Sequence, residues 1–553
     1  MDSNIDKLKT EIEQKIKGEV SVDKDVLDFH SRDTSIFKQK PSLVVFPHSS
    51  KDIEILIEIV NKYKDEMNNL SITARSGGTC MSGGTITDSI ALDMKHFNRI
   101  KQFSEDNLSA IVEPGLYYRD FEKETDKHNL VYPAYPASKN ICAFGGIVSN
   151  NSGGEKSLNY GKTQNFVDEL DMILSDGKEY SFKELGEEEL NKKMEQKDFE
   201  GDIYRKTFKL LNDNNDLIKK SKPNVSKNSS GYNIWDVINK EKKTFNLSQI
   251  FIGAQGTLGI MSEAKIRLIE KKKYEGMLVV FMDSFDNLPQ IINDVLKYKP
   301  ESFESFDNYT FKLALKFFFA FSKLLGSNIL KMPFEFLPEF LLVLRNGMPK
   351  LILLVEFNEN DKSIIEKNIQ SLKKDLSSYK NIYMREAKNE RDVDKYFAIR
   401  RESFNLLRQR IKNLKSAPFI DDIIVRPENL PEFLPKIYEI LDSEKLLYTV
   451  AGHMGDGNFH IIPLMDLRKK EERDKIFRIA DKVYSLVLSY KGVITAEHND
   501  GLIRSPYLEQ EYGVEIYNIF KEIKNILDPR NIFNPNKKIG VTKEFSNSLI
   551  SED

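Results

Sequence analysis

Ala74-Arg-Ser-Gly-Gly-Thr-Cys-Met-Ser-Gly-Gly84 is the stretch on which the reading of the fold turns. It follows the alternating run Leu70-Ser-Ile-Thr73 and precedes Ile90-Ala-Leu92, both of which read as short strands. Two glycine pairs, with hydroxyls at Ser76, Thr79 and Ser82, let the backbone turn its N–H groups toward one anion, because glycine takes positive φ and leaves room for a ligand. Arg75 adds a planar fork of donors suited to phosphate. No Gly-Lys-Ser/Thr follows, so this is not a Walker loop, and it does not open a helix as a Gly-x-Gly-x-x-Gly fingerprint does. The stretch reads either as a pyrophosphate cradle between two strands or as a glycine-rich surface loop, and the rest of the chain decides between them.

Upstream, Pro41 to Pro47 reads as a buried strand and Ser49-Ser-Lys-Asp-Ile53 as the start of an amphipathic helix with its stripe at Ile53, Leu56, Ile57 and Val60. A charged helix from Ile5 to Ile16 begins the chain. Downstream, Ala110-Ile-Val112 is a strand, Tyr117 to His128 a helix, and 166–182 a hairpin about Asp176-Gly177. Between them, prolines hold Tyr132-Pro-Ala-Tyr-Pro-Ala-Ser138 extended. Gly145-Gly146 and Gly153-Gly154 then bracket an apolar run and side-chain amides, which suits either backbone packed on a flat ligand or a tight connection. Ile250-Phe-Ile-Gly-Ala-Gln-Gly-Thr-Leu-Gly-Ile260 adds a further glycine-rich turn, and the first domain boundary falls near 270. From 275 the pattern changes to strands (Met277 to Phe281, Leu351 to Glu356) alternating with helices (Leu288 to Leu296, Lys362 to Leu376), an α+β arrangement.

The chain has 553 residues, too many for one core. With 82 basic against 85 acidic residues its formal charge is −3, which offers no electrostatic footprint for nucleic acid. Two cysteines, Cys80 and Cys142, exclude a disulfide framework and an in-chain iron–sulfur cluster. No apolar h-region opens the chain and no uninterrupted apolar run is long enough to span a bilayer, so a cytoplasmic location is expected. The aromatic, lysine-bearing segment 311–344 reads as a core helix pair or as a peripheral membrane or partner surface.

A second concentration of chemistry is Val450-Ala-Gly-His-Met-Gly-Asp-Gly-Asn-Phe-His460. Apolar runs flank Gly455 to Asn458, read as a four-residue hairpin loop. That loop pairs His453 with His460, whose Cβ atoms would then lie about 4.5–5.5 Å apart. Only seven histidines occur in the chain. With Glu497 they make a three-ligand set suited to zinc, iron or manganese, and His498 is a neighbouring base. The plainer reading is that these histidines satisfy turn hydrogen bonds. Arg400 or Arg401, on a helix, could clamp a substrate carboxylate.

Taken in order, Arg75-Ser-Gly-Gly-Thr79, Ser82-Gly-Gly84, Gly145-Gly146, Asn151-Ser-Gly-Gly154, Tyr160-Gly161, Gly256-Thr-Leu-Gly-Ile260, Gly452-His-Met-Gly-Asp-Gly-Asn-Phe-His460, Glu497-His498, Asp528-Pro and Asn534-Pro resemble the flavin-dependent oxidoreductases of the vanillyl-alcohol oxidase / p-cresol methylhydroxylase superfamily. The nearest branch is that of D-lactate dehydrogenase, the flavin-binding chain of glycolate oxidase, and D-2-hydroxyglutarate dehydrogenase, and the match runs from about Arg32 to Ile539.

The resemblance implies an α+β fold. After an N-terminal helical segment (1–35) it implies a two-subdomain FAD-binding domain of the p-cresol methylhydroxylase type (36–270) and an α+β substrate (cap) domain (271–495). A segment returning to the flavin (496–541) and a tail (542–553) would complete it. It assigns non-covalent FAD to Arg75, Ser76, Gly77, Gly78, Thr79, Ser82 and Gly83 at the pyrophosphate, and to Pro136, Ser138, Gly145, Gly146, Asn150, Gly153, Gly154, Ile260 and Asn534 around the remainder. His453, His460 and Glu497 become ligands of a divalent metal, zinc first, Arg400 the substrate-carboxylate arginine and His498 the proton acceptor. The implied reaction oxidises a D-2-hydroxy acid, and electrons leave to a quinone, an electron-transfer flavoprotein or an iron–sulfur partner. Three positions depart from the pattern: Gln255 where glutamate is common, Asn499 where glycine is usual, and no lysine near Ile420, which the hydroxyglutarate branch has. The rival readings are a non-redox flavin synthase of the alkyl-dihydroxyacetone-phosphate type, a metal-dependent hydrolase, and a flavin subunit of a larger complex.

Overall fold

Leu43–Phe46, the helix Ser50–Tyr63 and Ile72–Arg75 form the strand–helix–strand unit that the hydrophobic pattern predicts, and Ser49 caps the helix by accepting from Asp52 N–H. In the computed structural model, which describes residues 3–316, 336–387, 389–410 and 414–552, these strands run parallel to Ile90–Asp93. The edge strand Glu19–Ser21 pairs antiparallel with Leu43–Phe46, completing a four-stranded sheet. The helix buries Ile53, Leu56, Ile57 and Val60 against Leu43, Val45 and Leu92, so its apolar stripe is the core of this subdomain. Ile532 and Phe533, near the C-terminus, enter the same core, and Ile72 N–H donates to Ile532 O.

A second sheet of seven strands is antiparallel throughout, with Ile260–Arg267 between Val167–Ile173 and Ser109–Val112. The Asp176-Gly177 turn closes its hairpin, Gly177 taking φ +76°. The late helix Leu508–Leu527 packs Ile516, Phe520 and Leu527 into this subdomain's core.

From Tyr274 an eight-stranded antiparallel sheet begins, with Tyr274–Met282, Leu351–Glu359, Ser302–Asp307, Leu447–His453 and Asn458–Met465 side by side. The helices Leu288–Leu296, Lys362–Leu376 and Lys470–Ser489 cover one face with an aliphatic core. The other face is apolar at Met277, Phe306 and Leu354, under Tyr396 and Phe397, and turns polar toward Glu304, Glu356 and His453. That polar end builds the site.

Part of the segment 311–344 (residues 317–335) lies outside the described residues. Within its flank, the helix Leu337–Asn346 exposes Leu337, Phe340, Leu341 and Leu344. Among the described residues, no helix is long and apolar enough to cross a membrane.

Candidate active site

The cradle begins where Ile72–Arg75 ends, and it lines a cleft between the two sheets. Arg75, Ser76, Gly77, Gly78 and Thr79 form one wall. Arg75 is buried, its guanidinium donating to Arg32 O, and burial lowers its pKa. Gly78 takes φ +65°, and a Cβ there would run into the Arg75 guanidinium. A Cβ on Gly77 would sit 2.9 Å from Ile141 O. The glycines are therefore needed to fold the loop around its own arginine as well as to admit a ligand.

On the opposite wall, Gly145 and Gly146 belong to the first turn of a helix, Phe144–Asn150, which sets aside the tight connection that their spacing also allowed. Both line the cleft with Asn150, and a Cβ on Gly146 would approach only Ser76 Oγ, at 3.6 Å. Gly256, Leu258 and Met261 add the antiparallel sheet's contribution. A cleft floored by main chain, with an arginine at a strand end, has the lining to hold an anion. No histidine lines it among the described residues, while Cys80 does.

Other expected cofactor residues lie off this lining. Ser82 and Gly83 sit beneath the cradle, Gly83 packed on Phe37 and Leu502. Ile260 is in the core of the parallel sheet. Pro136 and Ser138 form the turn beside Cys142, whose N–H donates to Ser138 O. Gly154 packs against Tyr135 O. Asn534 braces the cradle from behind, its Nδ2 donating to Gly84 O and Gln255 O. Gln255, at φ +53°, fills the space below Gly84 and accepts from Gly501 N–H.

Gly153 leads to the second cluster, since a Cβ there would lie 2.9 Å from Glu497 Oε1. The histidine hairpin forms with a register two residues from the expected one: His453 faces Asn458, and Ala451 faces His460. The loop is Met454 to Gly457, with Gly457 N–H donating to Met454 O and Gly457 at φ +72°. Met454 is drawn into the aliphatic core and Asn458 is held by Asp422 and Ile423 O, which together shift the turn by one residue. An even shift preserves the face. The rings therefore still meet, centroids 5.3 Å apart.

Each histidine is oriented by a carboxylate. His453 Nδ1 donates to Glu304 at 2.7 Å, His460 Nδ1 to Asp421 at 3.1 Å, and His498 Nδ1 to Asp421 at 2.7 Å. All three Nε2 atoms are thereby left for other work, the usual arrangement behind metal-binding imidazoles. His453 Nε2 lies 3.6 Å from Glu497 Oε1, and donor atoms of His460, Glu497 and His498 lie within 4.8 Å of one another. Asp422, though close to them, is committed elsewhere: it accepts from Thr495 Oγ1 and from the N–H groups of Glu497 and His498, fixing the turn that presents them.

Burial opposes charge throughout this cluster, and the partners overcome it. His498 is raised to about 9 by Asp421 and Asp422 despite its burial. Asp421, fully buried where His498 is partly exposed, is held well below the ordinary carboxylate range by His498 and His460. Glu497 is lowered strongly, burial being outweighed by Lys227 and His453. Lys227 Nζ sits 2.5 Å from Glu497 Oε1 and 2.9 Å from Asp456 Oδ2. The donor set fits a divalent cation, and Lys227 competes with it for Glu497.

Arg400 is engaged by acids: its guanidinium lies 2.5 Å from Glu304 and 3.4 Å from Glu155. Arg401 grips Glu155 with two bonds, and with Arg400 it holds that buried carboxyl at about 2. Asp421, Asp422, Lys227, Glu304 and Glu155 are site residues that the sequence reading missed. Asp421-Asp422 carried a signal, two acids inside the apolar run Phe419-Ile-Asp-Asp-Ile-Ile-Val425. Lys227 carried none beyond its place before a glycine turn.

Comparison with known proteins bears on both clusters. The sequence profile described as "FAD binding domain" matches residues 41–183, and that described as "FAD linked oxidases, C-terminal domain" matches 271–538. D-2-hydroxyglutarate dehydrogenase of Pseudomonas putida is 26% identical over 526 residues, 94% of this chain and 50% of that protein. Glycolate oxidase subunit GlcD of Bacillus subtilis is 25% identical over 515 residues, 91% of this chain and 90% of that protein. The chain thus spans about half the length of several dehydrogenases it matches and nearly all of the glycolate oxidase subunit. Among solved structures, p-cresol methylhydroxylase with substrate bound shares the fold at TM-score 0.70, covering 98% of each chain at 14% identity. An alkyldihydroxyacetonephosphate synthase does so at 0.65, covering 96% of this chain and 85% of that one at 14% identity.

Proposed function

We infer that this chain, which belongs to the FAD-linked oxidases of the p-cresol methylhydroxylase type, oxidises a 2-hydroxy acid to the 2-oxo acid with non-covalent FAD. The observation that carries the reading is that three imidazoles, each oriented by a buried carboxylate, stand around Glu497, with His453 Nε2 3.6 Å from its Oε1 and donor atoms of His460 and His498 within 4.8 Å of it, while the neighbouring Asn499 donates to O of Asn150 on the cleft wall. The substrate class follows the relatives, which are named for D-2-hydroxyglutarate, glycolate and D-lactate.

Arg75 to Thr79, Gly145, Gly146 and Asn150 would hold FAD, and Asn534 and Gln255 would support the loop from below. His453, His460 and Glu497 would hold a divalent cation, zinc with iron or manganese as alternatives. When bound, these groups supply a hydride acceptor at flavin N5 and a positive charge that acidifies the substrate hydroxyl. His498 takes the hydroxyl proton at Nε2, because Asp421 keeps Nδ1 as the donor. Its own high pKa means that it must first be neutral, and a divalent cation beside it works against its charge. The substrate carboxylate is assigned to Arg400, displacing one of that residue's two acidic partners. Turnover would require a separate electron acceptor, such as a quinone, an electron-transfer flavoprotein or an iron–sulfur partner.

The test is anaerobic titration of the purified flavoprotein with D-lactate, glycolate and D-2-hydroxyglutarate, before and after chelator treatment. Bleaching of the visible flavin band by at least one acid, slowed by chelation, is expected. A flavin left oxidised by all three would overturn the reading in favour of a non-redox synthase. Bleaching indifferent to chelation would remove the metal alone.

A further inference from the structure

At one end of the parallel sheet, three side chains outside the catalytic cluster converge. Glu19 opens the edge strand Glu19–Ser21, whose antiparallel register sets it opposite Phe46, the last residue of Leu43–Phe46. Ile90–Asp93 runs parallel to that strand and ends at the same side. The residues just past the two strand ends, His48 and His96, therefore meet Glu19. His48 Nε2 lies 3.7 Å and His96 Nε2 3.5 Å from the same oxygen, Glu19 Oε1. The imidazoles meet edge to face with centroids 4.5 Å apart, and one donor atom from each of the three residues lies within 4.8 Å of the others.

Two features separate this from a chance surface ion pair. His96 Nε2 is a buried atom with no hydrogen-bond partner among the described residues, a condition folded proteins rarely leave uncompensated. The spacing is also that of a coordination shell: ligands about 2.0–2.1 Å from a tetrahedral ion are about 3.4 Å apart. Lys95 is the opposing charge, 3.9 Å from Glu19 Oε2, but its ammonium is seated over the Phe46 ring at 3.6 Å and leaves Oε1 to the histidines.

We propose that Glu19, His48 and His96 form a divalent transition-metal site, separate from the catalytic cluster, that takes zinc or a similar borderline ion through two imidazole nitrogens and one carboxylate oxygen, with a further position open to water. The three ligands come from three segments, and the strand that carries Glu19 is only three residues long and lies at the sheet edge. Binding therefore clamps the N-terminal strand to the parallel sheet and stabilises the folded chain by linkage.

The experiment uses the full FAD-loaded chain, stripped with chelator and titrated calorimetrically with zinc. Wild type is compared with the double variant His48→Ala/His96→Ala, with Glu19→Gln and, for the interior cluster, with Glu497→Gln. Wild type should take up one zinc more than the double variant. Glu19→Gln should weaken that same ion by at least the roughly 10–100-fold that losing a group behind a ligand costs. Zinc should raise the melting midpoint of Glu497→Gln but raise that of the double variant less than that of wild type. If the interior cluster binds no metal, wild type takes one zinc and the double variant none, so failure of the catalytic metal is distinguishable. Equal zinc stoichiometry and affinity in wild type and a double variant of unchanged flavin content would overturn the proposal.

Discussion

His460 and His498 stack with ring centroids 4.9 Å apart and planes 18° apart, and both donate Nδ1–H to the same residue, Asp421. One buried carboxylate thus sets two tautomers at once and leaves both Nε2 atoms free for the roles proposed above, one toward the cation and one as the base. Asp421→Asn can accept from only one of them, because its amide nitrogen faces the second N–H. Flavin reduction by the preferred hydroxy acid should slow by about 10–100-fold and metal affinity should fall by a similar factor. Rapid-mixing spectroscopy and metal analysis of the purified variant check both. An unchanged reduction rate would remove Asp421 from the site's chemistry.

His498→Gln keeps the bulk and removes the base. The reduction rate should fall by about 10²–10⁴-fold, with flavin content and the oxidised spectrum unaltered. A loss of flavin in place of the rate effect would make His498 structural.

Gly78→Ala places a Cβ at φ +65° against the Arg75 guanidinium. The left-handed conformation costs about 1–2 kcal/mol for a residue with a Cβ, and Arg75 must also shift. Since about 1.4 kcal/mol is ten-fold in affinity, the ratio of flavin to protein absorbance after gel filtration should drop. Gly347→Ala is the control, with φ +89° but nothing within 4 Å of its Cβ. It should lose some stability and keep its flavin.

Glu356 provides a pH signature away from the metal ligands. Burial raises its carboxyl to about 7 although Lys156 and Ser302 oppose the shift, and Ser302 Oγ donates to it at 2.6 Å. Its folded pKa lies above the unfolded value of about 4.3. The folded state therefore binds the proton more tightly, and this group's contribution to stability falls as pH rises from about 4 through 7. Glu356→Gln should be more stable than wild type by about 1–3 kcal/mol at pH 8, with the difference shrinking toward pH 5. Denaturant titrations at the two pH values check it.

The parts of this fold that were legible in the sequence are those governed by neighbours along the chain. The amphipathic helices Ser50–Tyr63, Leu288–Leu296 and Lys362–Leu376 follow from spacing alone, as does the hairpin about Asp176-Gly177. The helix at Gly145-Gly146 does not follow from the sequence, because paired glycines disfavour one. The structure accepts that cost where Phe144, Ile147 and Val148 are buried and the glycine face meets the cleft. The histidine hairpin follows from the sequence but its register does not, since the position of the four-residue turn is set by Met454 entering a core and by Asn458 bonding to a distant strand.

The sequence by itself determined which residues could carry the chemistry: a glycine loop with an arginine at a strand end, and a rare concentration of histidine beside Glu497. Only the tertiary structure decided what those residues contact. Asp421 reaches His460 and His498 across 39 and 77 positions, and Lys227 reaches Glu497 across 270. Local backbone preference acts over a few residues, whereas the charge state and orientation of a buried side chain depend on whichever groups packing brings within hydrogen-bond distance of it.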